Sequence, residues 1–322
     1  MALHGWLILD KPVGLGSSQA VSAVKRALRE GGYAKVKVGH GGTLDPLASG
    51  VLPVALGEAT KLCGRALHAD KSYDFTIRFG EQTDTLDAEG AVVASSGRRP
   101  NLAEVKAVLP RFTGEIEQVP PAFSALKVAG RRAYDLARAG AEVELASRRV
   151  HIKSLELRHP SASRDLTALG EAAAKKGDSS LRWKDDGPLE EVTLSATVSK
   201  GTYVRSLARD IACSLDSVGH VTMLRRTSAG PFTLERAISL DKLSQAAKAG
   251  ELEKALLPLT AGLDDIPALP VTPDQARALR QGRKAIGIAA KPGLHLATDA
   301  NVPVALVELS EGELRVVRGF NL

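Results

Sequence analysis

The sequence predicts an α+β protein, and three observations carry that reading. Apolar and polar side chains alternate over residues 73–79 and again over 192–198, the period of half-buried strands. Val21, Val24 and Leu28, then Leu102, Val105 and Leu109, then Leu207, Ile211 and Leu215 recur instead at helical spacing. From about Ile266 the texture changes again, to a proline-marked stretch that ends in a hairpin pattern. At 322 residues the chain is long enough for about two domains. Its 44% hydrophobic and 25% charged residues are ordinary for a globular protein and exclude wholesale disorder.

The elements follow in order. Trp6-Leu7-Ile8-Leu9 is a short buried strand stopped at Asp10-Lys11-Pro12. Ser17 or Ser18 is the expected cap of the helix that Gly31-Gly32 ends. A glycine-rich loop after Val38 leads into a second apolar run, Val51-Leu52-Pro53-Val54-Ala55-Leu56. Asn101 with Glu104 three residues on forms a capping box. The stretch 159–188, rich in Ala, Ser, Lys and Asp and without periodicity, reads as a solvated insertion or mobile loop. Pro267, Pro270 and Pro273 mark a linker, and a short helix over 276–281 stops at Gly282. Residues 302–309 then turn through Ser310-Glu311-Gly312 into 314–317. The expected domains are 1–265 and 266–322, the second small and β-rich.

Composition narrows the function classes. The formal net charge of +6 allows a polyanionic partner without demanding one. Two cysteines, Cys63 and Cys213, exclude a disulfide framework and a cysteine-based zinc site, and make the cytoplasm the expected compartment. No leader pattern opens the sequence, and no apolar run reaches the ~18–20 residues of a membrane span. Walker A, Gly-x-Gly-x-x-Gly and His-Glu-x-x-His patterns are missing, so neither a metal nor a nucleotide cofactor is expected.

The densest candidate for chemistry is Gly39-His40-Gly41-Gly42-Thr43-Leu44-Asp45-Pro46-Leu47-Ala48-Ser49-Gly50. Pro46 biases Asp45 towards an extended or turn geometry, and a carboxylate so presented can act as nucleophile or base. An Asp-Pro turn capping a helix is the competing reading, and His40 alone is as well read as structural. Tyr73 and Tyr203 each set a flat ring beside basic residues, in Lys71-Ser72-Tyr73 and in Lys200-Gly201-Thr202-Tyr203-Val204-Arg205. Aromatic faces beside cations hold unstacked bases, although both rings also suit the edge of a core. Arg205 is either a surface charge or the partner that keeps a buried Asp ionised. Leu224-Arg225-Arg226 alone reads as a solvated basic face.

Those motifs, with Asp10-Lys11-Pro12-x-Gly14 and Ser124-Ala125-Leu126-Lys127, occur in an order that resembles the bacterial TruB family of tRNA pseudouridine-55 synthases. The resemblance covers roughly residues 5–260. It implies an α+β catalytic domain with a mixed, largely antiparallel sheet and flanking helices around a central cleft, followed by a PUA-like RNA-binding domain. It implies Asp45 as the catalytic aspartate, paired with Arg205, and Tyr73 as the residue that stacks on the target base and removes a proton. His40 would contact the T-loop, Tyr203 and Leu224 would line the base pocket, and Lys11 and Pro12 would support the floor of the site. The partner implied is the T-loop and T-arm of tRNA, the cofactor none, and the protein a monomer. Gly41 and Ser49 stand where many members have threonine.

Two other classes fit parts of this pattern. A tRNA-binding or tRNA-folding protein without catalysis would use the same cleft. An aspartyl-phosphate or glycosidase-type hydrolase built on Asp45 would need further carboxylates nearby, for which Asp84 and Asp87 are the candidates.

Overall fold

The computed structural model describes residues 3–128, 130–141, 143–158 and 187–322. The chain separates into two units, Met1–Pro46 with Gly50–His68 and Ala229–Leu322, and Leu47–Ser49 with Ala69–Ser228. Nearly all of the stretch 159–188 lies outside the described residues.

In the first unit the opening apolar run becomes strand Gly5–Lys11, antiparallel to Ala48–Leu56 with Leu9 opposite Leu52 and Lys11 opposite Gly50. Every residue of Ala48–Leu56 is buried, as a continuous apolar run demands. Trp6 is wholly buried, 4.9 Å from Phe232 between ring centroids, and its indole N–H donates to the Leu259 carbonyl at 3.2 Å. Its core gathers Leu259, Leu263, Ile266, Leu296, Leu306 and Phe320, so residues from both sides of position 265 pack in one unit.

The helix Ser17–Glu30 forms where the spacing predicts it, with Ala20, Val21, Val24, Ala27 and Leu28 buried. Its cap corrects the expectation. Gly16 is the N-cap, and the Gln19 side chain accepts from the Gly16 N–H at 2.8 Å. Ser17 lies inside the helix and its hydroxyl is engaged elsewhere, while Ser18 is exposed.

The C-terminal segment builds a five-stranded sheet in the order Ala268–Pro270, Gly293–Asp299, Val302–Ser310, Glu313–Gly319, Ala285–Ile286. The expected linker is therefore partly a strand. Ala268–Pro270 pairs parallel with Gly293–Asp299, and the Pro270 ring is tolerated on the sheet edge. Pro273 is not linker either, since it opens the helix Pro273–Arg280, with Thr272 as cap and Gln275 completing the box. The hairpin of Val302–Ser310 and Glu313–Gly319 turns at Glu311 and Gly312, both at positive φ.

In the second unit, Gly219–Ala229, Lys71–Phe79, Glu191–Val198, Arg148–Leu157 and Gly114–Gln118 follow one another across a sheet. The last three pairings are antiparallel. Phe75, Ile77, Val192 and Leu194 meet Val105, Leu207 and Ile211 from the helices Leu102–Val108 and Val204–Cys213 in one core. The Asn101 box forms as read, with Asn101 Oδ1 accepting from the Glu104 N–H at 2.9 Å and Glu104 Oε2 from the Asn101 N–H at 2.8 Å. The α+β class and the β-rich C-terminal segment both hold.

Candidate active site

The candidate residues fall into two sets, one on each unit. Lys11, Pro12, His40 and Asp45 belong to the first, and Tyr73, Tyr203, Arg205 and Leu224 to the second.

On the first unit, His40 ends the short strand Val38–His40, which pairs antiparallel with Ala48–Leu56 and sets His40 opposite Val54. The chain leaves the ladder after Gly41, whose N–H donates to the Pro53 carbonyl at 2.8 Å. Asp45 follows in irregular backbone, half-buried, between a buried Leu44 and an exposed Pro46. Strand Ala48–Leu56 comes next, so Asp45-Pro46 heads a strand and caps no helix.

Side chains and turns from elsewhere fix that irregular backbone. The Ser17 hydroxyl donates to the Leu44 carbonyl at 3.0 Å and accepts from the Leu44 N–H at 2.8 Å. The Pro46 carbonyl accepts from the Gly14 N–H at 2.8 Å and from Lys11 Nζ at 3.3 Å. Gly14 makes this contact at φ 85°, a conformation that favours glycine. Lys11 is wholly buried, and its ammonium also donates to the Pro12 and Leu15 carbonyls at 2.8 and 2.7 Å. It thus ties the turn after the first strand to the Asp45 loop.

On the second unit, Tyr73 is half-buried on strand Lys71–Phe79, opposite Ala196 of Glu191–Val198, and packs with Leu224 on the same core. Tyr203 is the N-cap of helix Val204–Cys213. Gln118, almost wholly buried, clamps its backbone at both ends, with Oε1 accepting from the Tyr203 N–H at 2.8 Å and Nε2 donating to its carbonyl at 3.1 Å. The Arg148 guanidinium lies over the Tyr203 ring, 4.8 Å from its centroid, and donates to the Gly201 carbonyl. Sequence reading missed Gln118 and Arg148, because partners 85 and 55 positions from Tyr203 leave no local pattern.

Arg205 is buried, so the surface-charge reading is excluded. Its guanidinium donates to the carbonyls of Thr85 at 2.7 Å and Phe123 at 3.0 Å, and Nη1 lies 3.3 Å from Asp87 Oδ2. Asp87 in turn accepts from the Thr85 hydroxyl at 2.6 Å and from the Glu89 N–H at 3.1 Å. Leu224-Arg225-Arg226 is no solvated face, for Arg226 is 1% exposed and Arg225 donates to the Ser49 hydroxyl at 3.4 Å. Lys71 is buried too, donates to the Ala69 carbonyl at 2.6 Å, and has its ammonium pKa pushed down to about 8, first by burial and then by Arg226.

Among the described residues no group of three or more His, Cys, Asp or Glu side chains is placed to hold a metal ion. No helix among them is long and apolar enough to cross a membrane.

Comparison with known proteins adds the following. Residues 29–204 match the TruB family pseudouridylate synthase N-terminal domain, and residues 205–264 the tRNA pseudouridylate synthase B C-terminal domain. The chain is 59% identical over 320 residues to a tRNA pseudouridine synthase B of Novosphingobium aromaticivorans, covering 99% of this chain and 98% of that one. It is 57% identical to one of Zymomonas mobilis, covering 99% and 97%. Among solved structures, a chain of an H/ACA RNP bound to a substrate RNA containing 2′-deoxyuridine shares the fold at TM-score 0.68 and 24% identity, covering 99% of this chain and 85% of that one. A chain of a Cbf5-Nop10-Gar1 complex matches at TM-score 0.68 and 25% identity, covering 98% and 84%.

Proposed function

The chain belongs to the TruB family of pseudouridylate synthases, and from that membership we propose that it isomerises uridine 55 in the T-loop of tRNA, with Asp45 as the catalytic carboxylate. The observation that carries the choice of residue is the Asp45 loop itself. A half-buried carboxylate in irregular backbone is anchored through the peptide groups on both sides of it, which orients a reactive group without a strand or helix to hold it.

The reaction breaks the N1–C1′ glycosidic bond, turns the uracil and rejoins it through C5. It consumes no electrons and no phosphate. It needs a carboxylate near C1′ or C6, a pocket that retains the detached base, and a base for the C5 proton. Asp45 supplies the first, by adding to the sugar or the base or by taking the C2′ proton. Tyr73 stacks on the uracil and accepts the C5 proton. Tyr203 and Leu224 line the base pocket, and His40 contacts the T-loop once the target nucleotide is flipped out, at a cost of a few kcal/mol that stacking offsets.

Arg205 enters this reading as the cation of Asp45 through the family pattern, and its bonds to Thr85, Phe123 and Asp87 hold the guanidinium in one place. Lys11 and Pro12 support the floor. Residues 266–322 act as a PUA-like RNA-binding domain beside the catalytic residues 1–265. The enzyme works as a cytoplasmic monomer without metal or nucleotide, and the net charge of +6 serves the phosphate backbone.

The test is release of tritium from C5-labelled uridine in tRNA with no metal or nucleotide added. The expected result is close to one equivalent released per tRNA, abolished when cytidine replaces uridine 55. Tight tRNA binding without release would favour the folding-protein reading, and release from the cytidine-55 tRNA would overturn the site assignment.

A further inference from the structure

We propose that Ser17 is a positioning residue for Asp45, acting through the backbone of Leu44. The proposal rests on the reading of Asp45 just given. Ser17 is 4% exposed, in the first turn of helix Ser17–Glu30. Its hydroxyl meets both backbone groups of Leu44, accepting from the N–H at 2.8 Å and donating to the carbonyl at 3.0 Å. A hydroxyl is the smallest side-chain group that can donate and accept at once.

That Leu44 carbonyl belongs to the peptide bond that joins Leu44 to Asp45. Fixing it fixes the plane from which the Asp45 backbone starts. On the other side, Pro46 restricts Asp45 to extended geometry, and the Pro46 carbonyl is anchored by Gly14 and Lys11. The Asp45 backbone is therefore bounded at both ends, and Ser17 supplies the N-terminal bound across 27 positions of sequence. Ser17 has no share in capping its own helix, for Gly16 and Gln19 do that. A buried serine within a helix, with both hydrogen-bonding capacities spent on one distant residue, is placed for that residue.

A misplacement of the order of 1 Å costs catalysis on the order of 100-fold, while substrate binding spreads over many contacts. Ser17→Ala should thus lower the single-turnover rate of pseudouridine formation by about 10- to 100-fold and leave tRNA affinity within about twofold. Ser17→Thr, which keeps the hydroxyl, should restore the rate to within about threefold of the parent. Ser217→Ala is the control for stability alone. It removes another buried serine hydroxyl, one that donates to the Arg98 carbonyl at 2.8 Å, and should lower the melting temperature with the rate unchanged. If Ser17→Ala does not fold, Ser17→Cys keeps the shape, weakens both bonds and carries the same expected split between rate and affinity.

A parental rate in Ser17→Ala, alongside an inactive Asp45→Asn, would overturn the proposal and leave Asp45 in its role. A Thr variant as slow as the Ala variant would also overturn it, since shape and not the hydroxyl would then matter. Turnover by Asp45→Asn is the separate result that would remove the reading beneath it.

Discussion

The Asp45 loop and the Arg205 helix are held in opposite ways. Around Asp45 the anchors act on backbone, with Ser17 on Leu44 and with Gly14 and Lys11 on Pro46. Around Arg205 the side chain itself is the hub, and two carbonyls and the Asp87 carboxylate converge on its guanidinium. Irregular backbone has no ladder to satisfy its N–H and C=O groups, so turns and buried side chains from elsewhere do it, as the Gly14 N–H and Lys11 do for the Pro46 carbonyl. A helix supplies that satisfaction internally and leaves its side chains available as partners. A carboxylate proposed as reactive suits the first arrangement, because partners distant in sequence set its backbone on both sides. A buried cation suits the second, because only direct partners offset the loss of water.

The largest effect that tests this contrast is Asp45→Asn. The change keeps size and backbone anchors, so pseudouridine formation should fall by more than about 10³-fold while tRNA affinity stays within about tenfold. Appreciable turnover would show that the anchored loop serves something other than a carboxylate. Tyr73→Phe comes next. It keeps the stacking ring and removes the proton acceptor, so C5 deprotonation should slow by about 10²–10⁴-fold with binding intact. Parental turnover would leave Tyr73 only its ring.

Arg205→Met should act on stability as well as rate. Breaking a buried pair by removing one partner costs about 3–5 kcal/mol, because Asp87 is left desolvated without its cation. Urea unfolding of Arg205→Met, Asp87→Asn and the double variant should show strong coupling between the two positions. If Arg205→Met loses activity at unchanged stability, the hub reading is wrong and Arg205 serves catalysis alone.

Gly41→Thr probes the packing under the Asp45 loop. A Cβ at Gly41 would stand 2.6 Å from the Ala66 Cβ, with the Pro53 Cβ and the Trp6 ring each at 3.6 Å. Ala66 thus occupies the room that a threonine at position 41 needs. The substitution should cost about 1–3 kcal/mol by overpacking, and Ala66→Gly should recover part of it, less the roughly 1 kcal/mol that glycine costs inside a helix. A neutral Gly41→Thr would mean that the loop yields more readily than its anchors imply.

What the sequence disclosed divides along the same line. Strands Lys71–Phe79 and Glu191–Val198 and the Asn101 box were legible because their signals lie within a few residues of one another. Asp45, Tyr73 and Arg205 stood out through motif order, which marks positions but not contacts. The anchors were hidden, since Ser17 and Leu44, Gln118 and Tyr203, and Arg205 and Asp87 are pairs that only folding brings together. Local signals also misled where tertiary structure overrode them. Ser17 resembled a cap and spends its hydroxyl on Leu44, while Pro270 resembled a linker and edges a sheet. Arg226 resembled solvated charge, yet it is buried on strand Gly219–Ala229.

A pH-dependent effect concerns Lys71, another buried cation of the second unit. Its pKa falls from the usual 10.5 to about 8, chiefly through burial, with Arg226 and Lys200 lowering it and Asp70 opposing them. The folded state therefore holds this proton less tightly than the unfolded state does. Between about pH 8 and 10.5 the unfolded chain binds more protons at this position, so Lys71's contribution to stability rises with pH. Its cost is present in full below about pH 8 and disappears as the unfolded lysine also loses its proton. Lys71→Met fills the same space without a charge and should lack this rise. Urea unfolding of both proteins at pH 7, 8.5 and 10 checks it. The stability of the parent relative to the variant should improve across that window, against the background of every other titrating group that the two share. A constant difference would show that the Lys71 ammonium keeps its proton across this window, held in part through its bond to the Ala69 carbonyl.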